Sequence, residues 1–315
     1  MSSLSFALEK RFRSVFLIVL ILAISTGWLL VNSPVVSSQS VPFKNFESPQ
    51  VHPLALTPDG TRLLAVNSPN GTLSVFQLVN TPQPRLTAEI PVGLEPVSVA
   101  VRNNNEAWVV NWLSDSVSIV DLATGSVTRT MDVGDEPTDV VFAGSTREMA
   151  FVCVSGGASL LVGTQVDKLG RGQIKVFDAA NPASFPQTIE IFGKQPRALA
   201  RNADGSRVFV SVFESGNQTT VVREADVTAN GGLPPPNPAV RSGLPSPPNS
   251  ALIVKRVGSQ WVDEINRNWN SFIPYTLADV DVAVIDASGS GLPSASSSQV
   301  SGIGTHIGKD RKSVV

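Results

Sequence analysis

Short apolar runs, separated by polar turns, follow one another along most of the chain after residue 50. In four places a proline precedes such a run, and these runs are Leu54 to Leu56, Val97 to Val101, Thr138 to Phe142 and Arg197 to Ala200. Alternation with a period of two is typical of strands that have one buried face. After three of the four runs the turn contains Asp-Gly or Asn, which tolerate the positive φ of tight hairpins. The pattern predicts an all-β chain of short antiparallel strands.

The pattern repeats with a fixed signature. Val92-Gly93-Leu94-Glu95-Pro96 recurs as Val133-Gly134-Asp135-Glu136-Pro137 and as Phe192-Gly193-Lys194-Gln195-Pro196. With Pro53 in the same place, the four prolines lie 43, 41 and 59 residues apart. A second, third and fourth apolar run follows each first run, so each unit is predicted to be four strands. We expect structural roles in the turns between units for six residues: Gly93, Pro96, Gly134, Pro137, Gly193 and Pro196.

Repetition of this length predicts a β-propeller, because a single four-stranded sheet cannot cover both of its faces and copies must stack. We predict a propeller over 41–309, with blades at about 50–90, 94–133, 137–192 and 196–290. Blade 3 carries an insertion at 156–172 and blade 4 carries one at 214–282. About four blades are predicted, and four leave the ring incomplete.

The repeats resemble the YVTN family of β-propellers, on the evidence of Trp108-Val109-Val110-Asn111 and Val117-Ser118-Ile119-Val120-Asp121-Leu122. The resemblance implies the propeller fold. It also implies a relation to the superfamily of haem d1 domains and lactonases that open sugar lactones, which includes binding proteins without chemistry. Some long relatives carry a c-type haem segment, Cys-x-x-Cys-His, beyond the propeller. This sequence has one cysteine and therefore lacks that motif.

The two ends of the sequence differ from the repeats. Lys10, Arg11 and Arg13 precede an apolar run at 15–31, which predicts that 1–40 is an export signal or a membrane anchor. Cleavage after Ser38 and retention of the segment both stay open. At the other end, 310–315 is encoded by GATCGGAAGAGCGTCGTG in a back-translation that matches a common sequencing adapter. We therefore expect 310–315 to be a non-native tail. From the N-terminal segment we expect an exported protein that is periplasmic or extracellular.

Few residues are candidates for catalysis. The chain has only two histidines, His52 and His306, which argues against a metal site built from several histidines. Asp121, Asp178 and Asp286 recur at the ends of the third strands, where we expect them to accept backbone hydrogen bonds. The single Cys153 is expected to be buried. Trp261 and Trp269 lie in the larger insertion and are candidates for an exposed partner surface.

The formal net charge of the chain is -2, and the sequence contains no cluster of basic residues. We therefore do not expect nucleic acid as a partner. We expect a binding scaffold for a protein or small molecule at the rim that carries the insertions, without catalysis. Membrane contact is expected only through the N-terminal segment, and no cofactor is expected within this chain. Two alternatives stay open: the propeller part of a longer haem redox protein, whose haem segment lies beyond this chain, and a lactonase-like hydrolase.

Overall fold

The computed structural model describes residues 50–80, 82–155, 172–215, 218–235, 241–245, 251–273, 280–293 and 298–301. These residues form five antiparallel sheets, of which four have four strands and one has three. The predicted segment at 1–40, the tail at 310–315 and most of the insertion at 156–172 lie outside the described residues. The all-β prediction is confirmed.

Blades 1 and 2 are continuous meanders, in which the order of strands in the sheet follows the order in the chain. Blade 1 consists of β1 (Leu54–Leu56), β2 (Arg62–Asn67), β3 (Thr72–Gln77) and β4 (Arg85–Pro91). Blade 2 consists of β5 (Pro96–Asn103), β6 (Glu106–Asn111), β7 (Ser116–Asp121) and β8 (Ser126–Asp132). The Asp-Gly turn predicted between the first two strands has Gly60 at φ 67°.

Blades 3 and 4 contain the insertions. Blade 3 consists of β9 (Asp139–Ala143), β10 (Met149–Val154), β11 (Gly172–Asp178) and β12 (Gln187–Ile191). Blade 4 consists of β13 (Lys194–Arg201), β14 (Arg207–Glu214), β18 (Val280–Asp286) and β19 (Ser298–Ser301). The insertion of blade 4 therefore interrupts the meander between its second and third strands.

That insertion forms a sheet of its own, made of β15 (Thr219–Val222), β16 (Leu252–Val257) and β17 (Gln260–Val262). The helix α1 (Glu224–Ala229) follows β15, and short 3-10 turns occur at Asn270–Phe272 here and at Ser68–Asn70 in blade 1. The helical segments that the structure describes are too short and too polar to be candidate membrane spans.

The prediction that Trp261 and Trp269 are exposed is wrong. Their exposed fractions are 8% and 1%, because both pack in a separate hydrophobic cluster with Val254 and Ile273. The insertion is long enough to build a small core, and its largest aromatic side chains fill that core. The indole N–H of Trp269 donates to the buried carboxylate of Asp263 at 3.0 Å.

Three clusters of buried side chains join neighbouring blades. One lies between blades 1 and 2, one between blades 2 and 3, and one between blades 3 and 4. Cys153 is fully buried in the last of these, as predicted, and burial raises the pKa of its thiol well above its usual range. Within the described residues no such cluster joins blade 1 to blade 4. The four blades therefore form an open fan, as the predicted incomplete ring requires.

Candidate functional site

The first strands of blades 2, 3 and 4, which we call the inner strands, are β5, β9 and β13, and a Gly-x-x-Pro turn lies at the start of each. In the fan, β9 contacts both β5 and β13. In each turn the residue before the proline is left-handed: φ is 49° at Glu95, 48° at Glu136 and 51° at Gln195. Side chains other than glycine rarely adopt this conformation. Its recurrence in three turns shows that the turn geometry is a property of the repeat.

Hydroxyl groups connect these turns from blade to blade. Ser68 Oγ donates to the carbonyl of Pro96 at 2.6 Å, and Thr138 Oγ1 donates to the carbonyl of Pro196 at 3.0 Å. Between them, Ser98 Oγ donates to the carbonyl of Thr138 at 2.8 Å. Because these groups are buried, the hydrogen bonds fix the inner strands relative to one another.

His52 lies beside this hydroxyl chain, just before the first blade. His52 forms a parallel β-bridge with Ser98 of β5, in which Val99 N donates to the carbonyl of His52 at 2.9 Å. The backbone N–H of His52 donates to Ser98 Oγ at 3.0 Å. Two hydrogen bonds to β5 of blade 2, one through its N–H and one through its carbonyl, therefore fix the backbone of His52.

The imidazole of His52 pairs with a carboxylate from blade 3. His52 Nδ1 lies 2.8 Å from Oδ2 of Asp139, the first residue of β9. The side chain of Asp139 is 0% exposed, whereas that of His52 is 51% exposed. A buried acid therefore holds an imidazole that reaches solvent.

The backbone of two strands supports the Asp139 carboxylate. Leu199 N, from β13, donates to Oδ2 at 2.6 Å, and Val140 N donates to Oδ1 at 2.9 Å. Burial raises the pKa of Asp139 above its usual value, and the hydrogen bonds from His52, Leu199 and Val140 oppose that rise. Both oxygens accept from backbone N–H groups, an arrangement that suits an ionised carboxylate.

This geometry has a direct chemical meaning. A carboxylate that accepts from Nδ1–H of a neutral imidazole fixes the tautomer, so that Nε2 is the basic nitrogen. The same negative charge stabilises the imidazolium that forms when Nε2 takes a proton. The pair of His52 and Asp139 can therefore act as a general base and then as a general acid.

A second acid and a cation belong to the same set of turns. Burial raises the pKa of Glu136, and the charges of Asp135 and Asp115 raise it further. Burial lowers the pKa of Arg197, against the attraction of Glu136, and the guanidinium lies 5.9 Å from the centre of the Phe213 ring. Perturbed groups at one end of a fold are candidates for ligand contact.

The recurrent aspartates do not join this set. Each caps a turn after its own strand: Asp121 Oδ1 accepts from Ala123 N at 2.7 Å, Asp178 Oδ1 from Ala180 N at 3.0 Å, and Asp286 Oδ1 from Ser288 N at 2.9 Å. Among the described residues, no three His, Cys, Asp or Glu side chains are grouped as a metal site.

A groove of about 590 Å³ lies elsewhere, at the boundary of blades 1 and 2. Hydroxyls of Ser116 and Ser118 and the carboxylate of Asp132 line it, and His52 and Asp139 do not. Gly93 belongs to this wall, since a Cβ there would lie 2.4 Å from Ser114 Oγ. The groove is thus separate from the His52–Asp139 pair.

Sequence analysis noted His52 as one of two histidines but assigned it no catalytic role, and it did not identify Asp139. A signal was present: two residues after the repeated prolines, blades 1, 2 and 4 have Ala55, Ser98 and Ala198, and blade 3 alone has a carboxylate. A charged residue that breaks a repeat at a buried strand position requires a partner.

Several solved structures resemble the chain weakly. Hydrazine synthase from Kuenenia stuttgartiensis is 17% identical with a TM-score of 0.45, and the match covers 79% of this chain and 66% of that one. A functionally unknown protein from Desulfotomaculum acetoxidans is 18% identical, with a TM-score of 0.38 and coverages of 53% and 49%. A candidate 6-phosphogluconolactonase from Bacteroides fragilis is 15% identical, with a TM-score of 0.38 and coverages of 54% and 52%. This chain thus spans 49% to 66% of the length of these structures.

None of the curated proteins is detectably similar in sequence. The model of the lactonase family, described as a seven-bladed β-propeller, matches residues 25–233. That match covers more than half of the chain and includes blades 1 to 3, His52 and Asp139. It confirms the resemblance to lactonase-like propellers, and the chain belongs to the lactonase family of seven-bladed β-propellers.

Proposed function

We propose that this propeller hydrolyses a lactone at the end of the fan where the Gly-x-x-Pro turns meet. The observation that carries the proposal is the hydrogen bond between half-exposed His52 and fully buried Asp139. Membership of the lactonase family supports it. A shared fold alone does not establish an activity, so the residues of the site carry the argument.

The chemistry requires a base, and His52 supplies it. Nε2 of His52 takes a proton from water as the water oxygen attacks the carbonyl carbon of the lactone. The bond between that carbon and the ring oxygen then breaks, and the imidazolium returns its proton to the ring oxygen. The product is a hydroxy acid, which ionises to a hydroxy carboxylate. Asp139 stabilises the imidazolium between these two transfers.

Arg197 supports an anionic substrate class. Its partly desolvated guanidinium belongs to β13, whose Leu199 holds Asp139. An arginine in such surroundings binds carboxylate or phosphate strongly because little hydration is lost on contact. Lactones that carry an acidic group are therefore the substrates to test first.

Two alternatives predict a different outcome. A scaffold that binds a protein or small molecule at the rim, and the propeller part of a longer haem protein, both predict no lactone turnover. The scaffold alternative has lost one support, because Trp261 and Trp269 are buried and do not form a surface.

The test is hydrolysis of a panel of neutral and acidic γ- and δ-lactones, followed by acid release. The wild type is compared with His52→Gln and with the control His306→Gln, which changes the other histidine. General-base catalysis predicts that His52→Gln lowers kcat about 100-fold or more, whereas His306→Gln leaves it unchanged. Absence of turnover with every lactone, or equal rates in wild type and His52→Gln, overturns the proposal.

A further inference from the structure

The groove between blades 1 and 2 has a wall of polar side chains from one face of blade 2. Direct cross-strand partners place Asn111, Ser116 and Asp132 in one row across β6, β7 and β8, and Ser118 and Thr130 in the next row. Cross-strand partners and alternate residues along a strand share a face of the sheet. Elsewhere this face is apolar and packs on blade 1. The polar wall therefore interrupts an otherwise apolar contact between the two blades.

Two buried serines of this wall receive hydrogen bonds from one amide. Asn111 Nδ2 donates to Ser116 Oγ at 3.2 Å and to Ser118 Oγ at 3.0 Å. Ser116 is 5% exposed and Ser118 is 1% exposed, and both line the groove. A hydroxyl that accepts a hydrogen bond directs its own proton to a different atom. For the proton of Ser118 no acceptor is found among the described residues, so this buried hydroxyl presents an unpartnered donor in the groove.

The neighbouring hydroxyls leave a second proton without an acceptor. Leu94 N donates to Ser114 Oγ at 3.0 Å, and Ser114 Oγ lies 3.0 Å from Ser116 Oγ. That contact uses the proton of only one of the two hydroxyls, because each hydroxyl carries one proton. Beside them, Asn111 Oδ1 is buried and has no hydrogen-bond partner within the part of the chain that the structure describes. Buried polar atoms are rarely left unpaired, so this wall is one that the protein alone does not satisfy.

The groove also holds carboxylate oxygens that can accept hydrogen bonds. Asp132 Oδ1 accepts from Gly134 N at 3.1 Å, and Asp115 Oδ1 accepts from Glu136 N at 3.0 Å. The second oxygen of each carboxylate accepts no hydrogen bond from the described residues. Among the described residues that line the groove there is no lysine or arginine. The groove is therefore negatively charged, and it repels acidic ligands.

We propose that this groove binds a neutral sugar. Each hydroxyl of a sugar both donates and accepts, so it can meet the serine protons and the carboxylate oxygens at the same time. A cation offers no acceptor for the serine protons. Pro91, Val92 and Val127 form the apolar part of the wall, which suits the C–H face of a sugar ring. The volume of about 590 Å³ lies in the range of ligand pockets, about 300–1,000 Å³.

This site does not depend on the proposed lactone hydrolysis. Neither His52 nor Asp139 lines the groove. The acidic lactones that Arg197 favours are the ligands that the carboxylates of the groove repel. Sugar binding and lactone turnover are therefore measured separately, and the failure of one leaves the other standing.

The experiment is saturation-transfer difference NMR of the full chain with glucose, galactose, maltotriose and gluconate at millimolar concentrations, with Kd taken from titrations. Ser118→Ala removes the buried hydroxyl, and Asp132→Asn removes a charge at an exposed position with little change in size. The controls are Ser126→Ala and Asp135→Asn, which change an exposed hydroxyl and an exposed carboxylate outside the groove. Circular dichroism verifies the strands of each variant, and Asp132→Asn decides alone if Ser118→Ala does not fold.

The wild type and both controls are expected to bind at least one neutral sugar and not gluconate. Each groove variant should weaken this binding about tenfold, the effect of one lost hydrogen bond. Tighter binding of maltotriose than of glucose identifies a chain of sugars as the ligand, and equal binding identifies a free sugar.

Three results overturn the proposal of a sugar site. The first is a wild type that binds none of the neutral sugars, or that binds gluconate as tightly as it binds them. The second is equal affinity of the groove variants and the controls. The third is displacement of the sugar by calcium ions, because that result assigns the carboxylates of the groove to a cation.

Discussion

His52 Nδ1 and Asp139 Oδ2 lie 2.8 Å apart although 87 positions separate the two residues in the chain. The histidine precedes blade 1, and the aspartate begins the inner strand of blade 3. The contact exists only when the inner strands of three blades meet, since blade 2 holds the histidine backbone. A long-range contact between blades and a candidate catalytic pair therefore coincide.

Asp139→Asn tests the acid of this pair. The carboxamide has the same size but presents an NH₂ group where two backbone N–H groups and the imidazole converge. At least one donor then loses its acceptor, which costs about 1–3 kcal/mol of the free energy of unfolding. Denaturant titration measures that cost, and Asp135→Asn, an exposed carboxylate in the preceding turn, is the control. Equal stability of the two variants would contradict the hydrogen-bonding arrangement.

Glu136→Gln tests the electrostatics of the turn. Burial, with Asp135 and Asp115, raises the pKa of Glu136 above 4.5, so the folded state binds this proton more tightly than the unfolded state. Stability from this group is present at low pH and is lost as the pH rises through the folded pKa. Glutamine does not ionise, so the variant does not lose stability at position 136 as the pH rises.

We expect Glu136→Gln to unfold at a higher temperature than the wild type at neutral pH, and the difference to shrink as the pH falls toward 4.5. Melting curves across this range measure it. The partial exposure of Glu136 keeps the effect below about 1 kcal/mol. A variant that is less stable than the wild type at neutral pH would show that Glu136 makes a net favourable interaction as an anion.

The sequence predicted the blades well because their signals are local. Alternation, Asp-Gly turns and the recurrent Gly-x-x-Pro each depend on a few neighbouring residues, and Met149–Val154 is a strand with the bounds that its apolar run indicates. The contact of His52 with Asp139 depends on which faces of separate blades meet, and no local pattern encodes that. The prediction for the insertion was wrong for the same reason. Trp269 is buried because segments distant in the sequence form a small core around it.

Gln195→Gly tests the left-handed turn position. Gln195 has φ 51°, and glycine adopts this conformation without the steric cost of a Cβ. We expect a gain in stability of about 1 kcal/mol, reduced by the greater freedom of glycine in the unfolded chain. Gln187→Gly, in β12, is the opposite control, because glycine in a strand destabilises. A loss of stability in both variants would contradict the turn geometry.

Trp269→Phe tests the core of the insertion. Burial acts to raise the pKa of Asp263, but hydrogen bonds from Trp269 and Arg267 outweigh it and the pKa is lowered. Stability from Asp263 is therefore present above its unfolded pKa and is lost as the pH falls through the folded value. Removing the indole donor should lower the free energy of local unfolding of the insertion by about 1–2 kcal/mol.

Hydrogen exchange measures that cost residue by residue, and exchange should quicken in β16 and β17 but not in the blades. Trp261→Phe is the matched control, an indole-to-phenyl change in the same cluster for which no indole hydrogen bond is found in the described residues. Equal effects of the two substitutions would assign the role of Trp269 to packing alone.

The pH dependence of kcat/KM for lactone hydrolysis tests the central claim most directly. The account predicts that the rate of the wild type rises with pH as the His52 imidazole loses its proton. It also predicts that His52→Gln lacks this rise and is slower by about 100-fold or more. A His52→Gln variant that keeps the rate and the pH profile of the wild type would contradict the account.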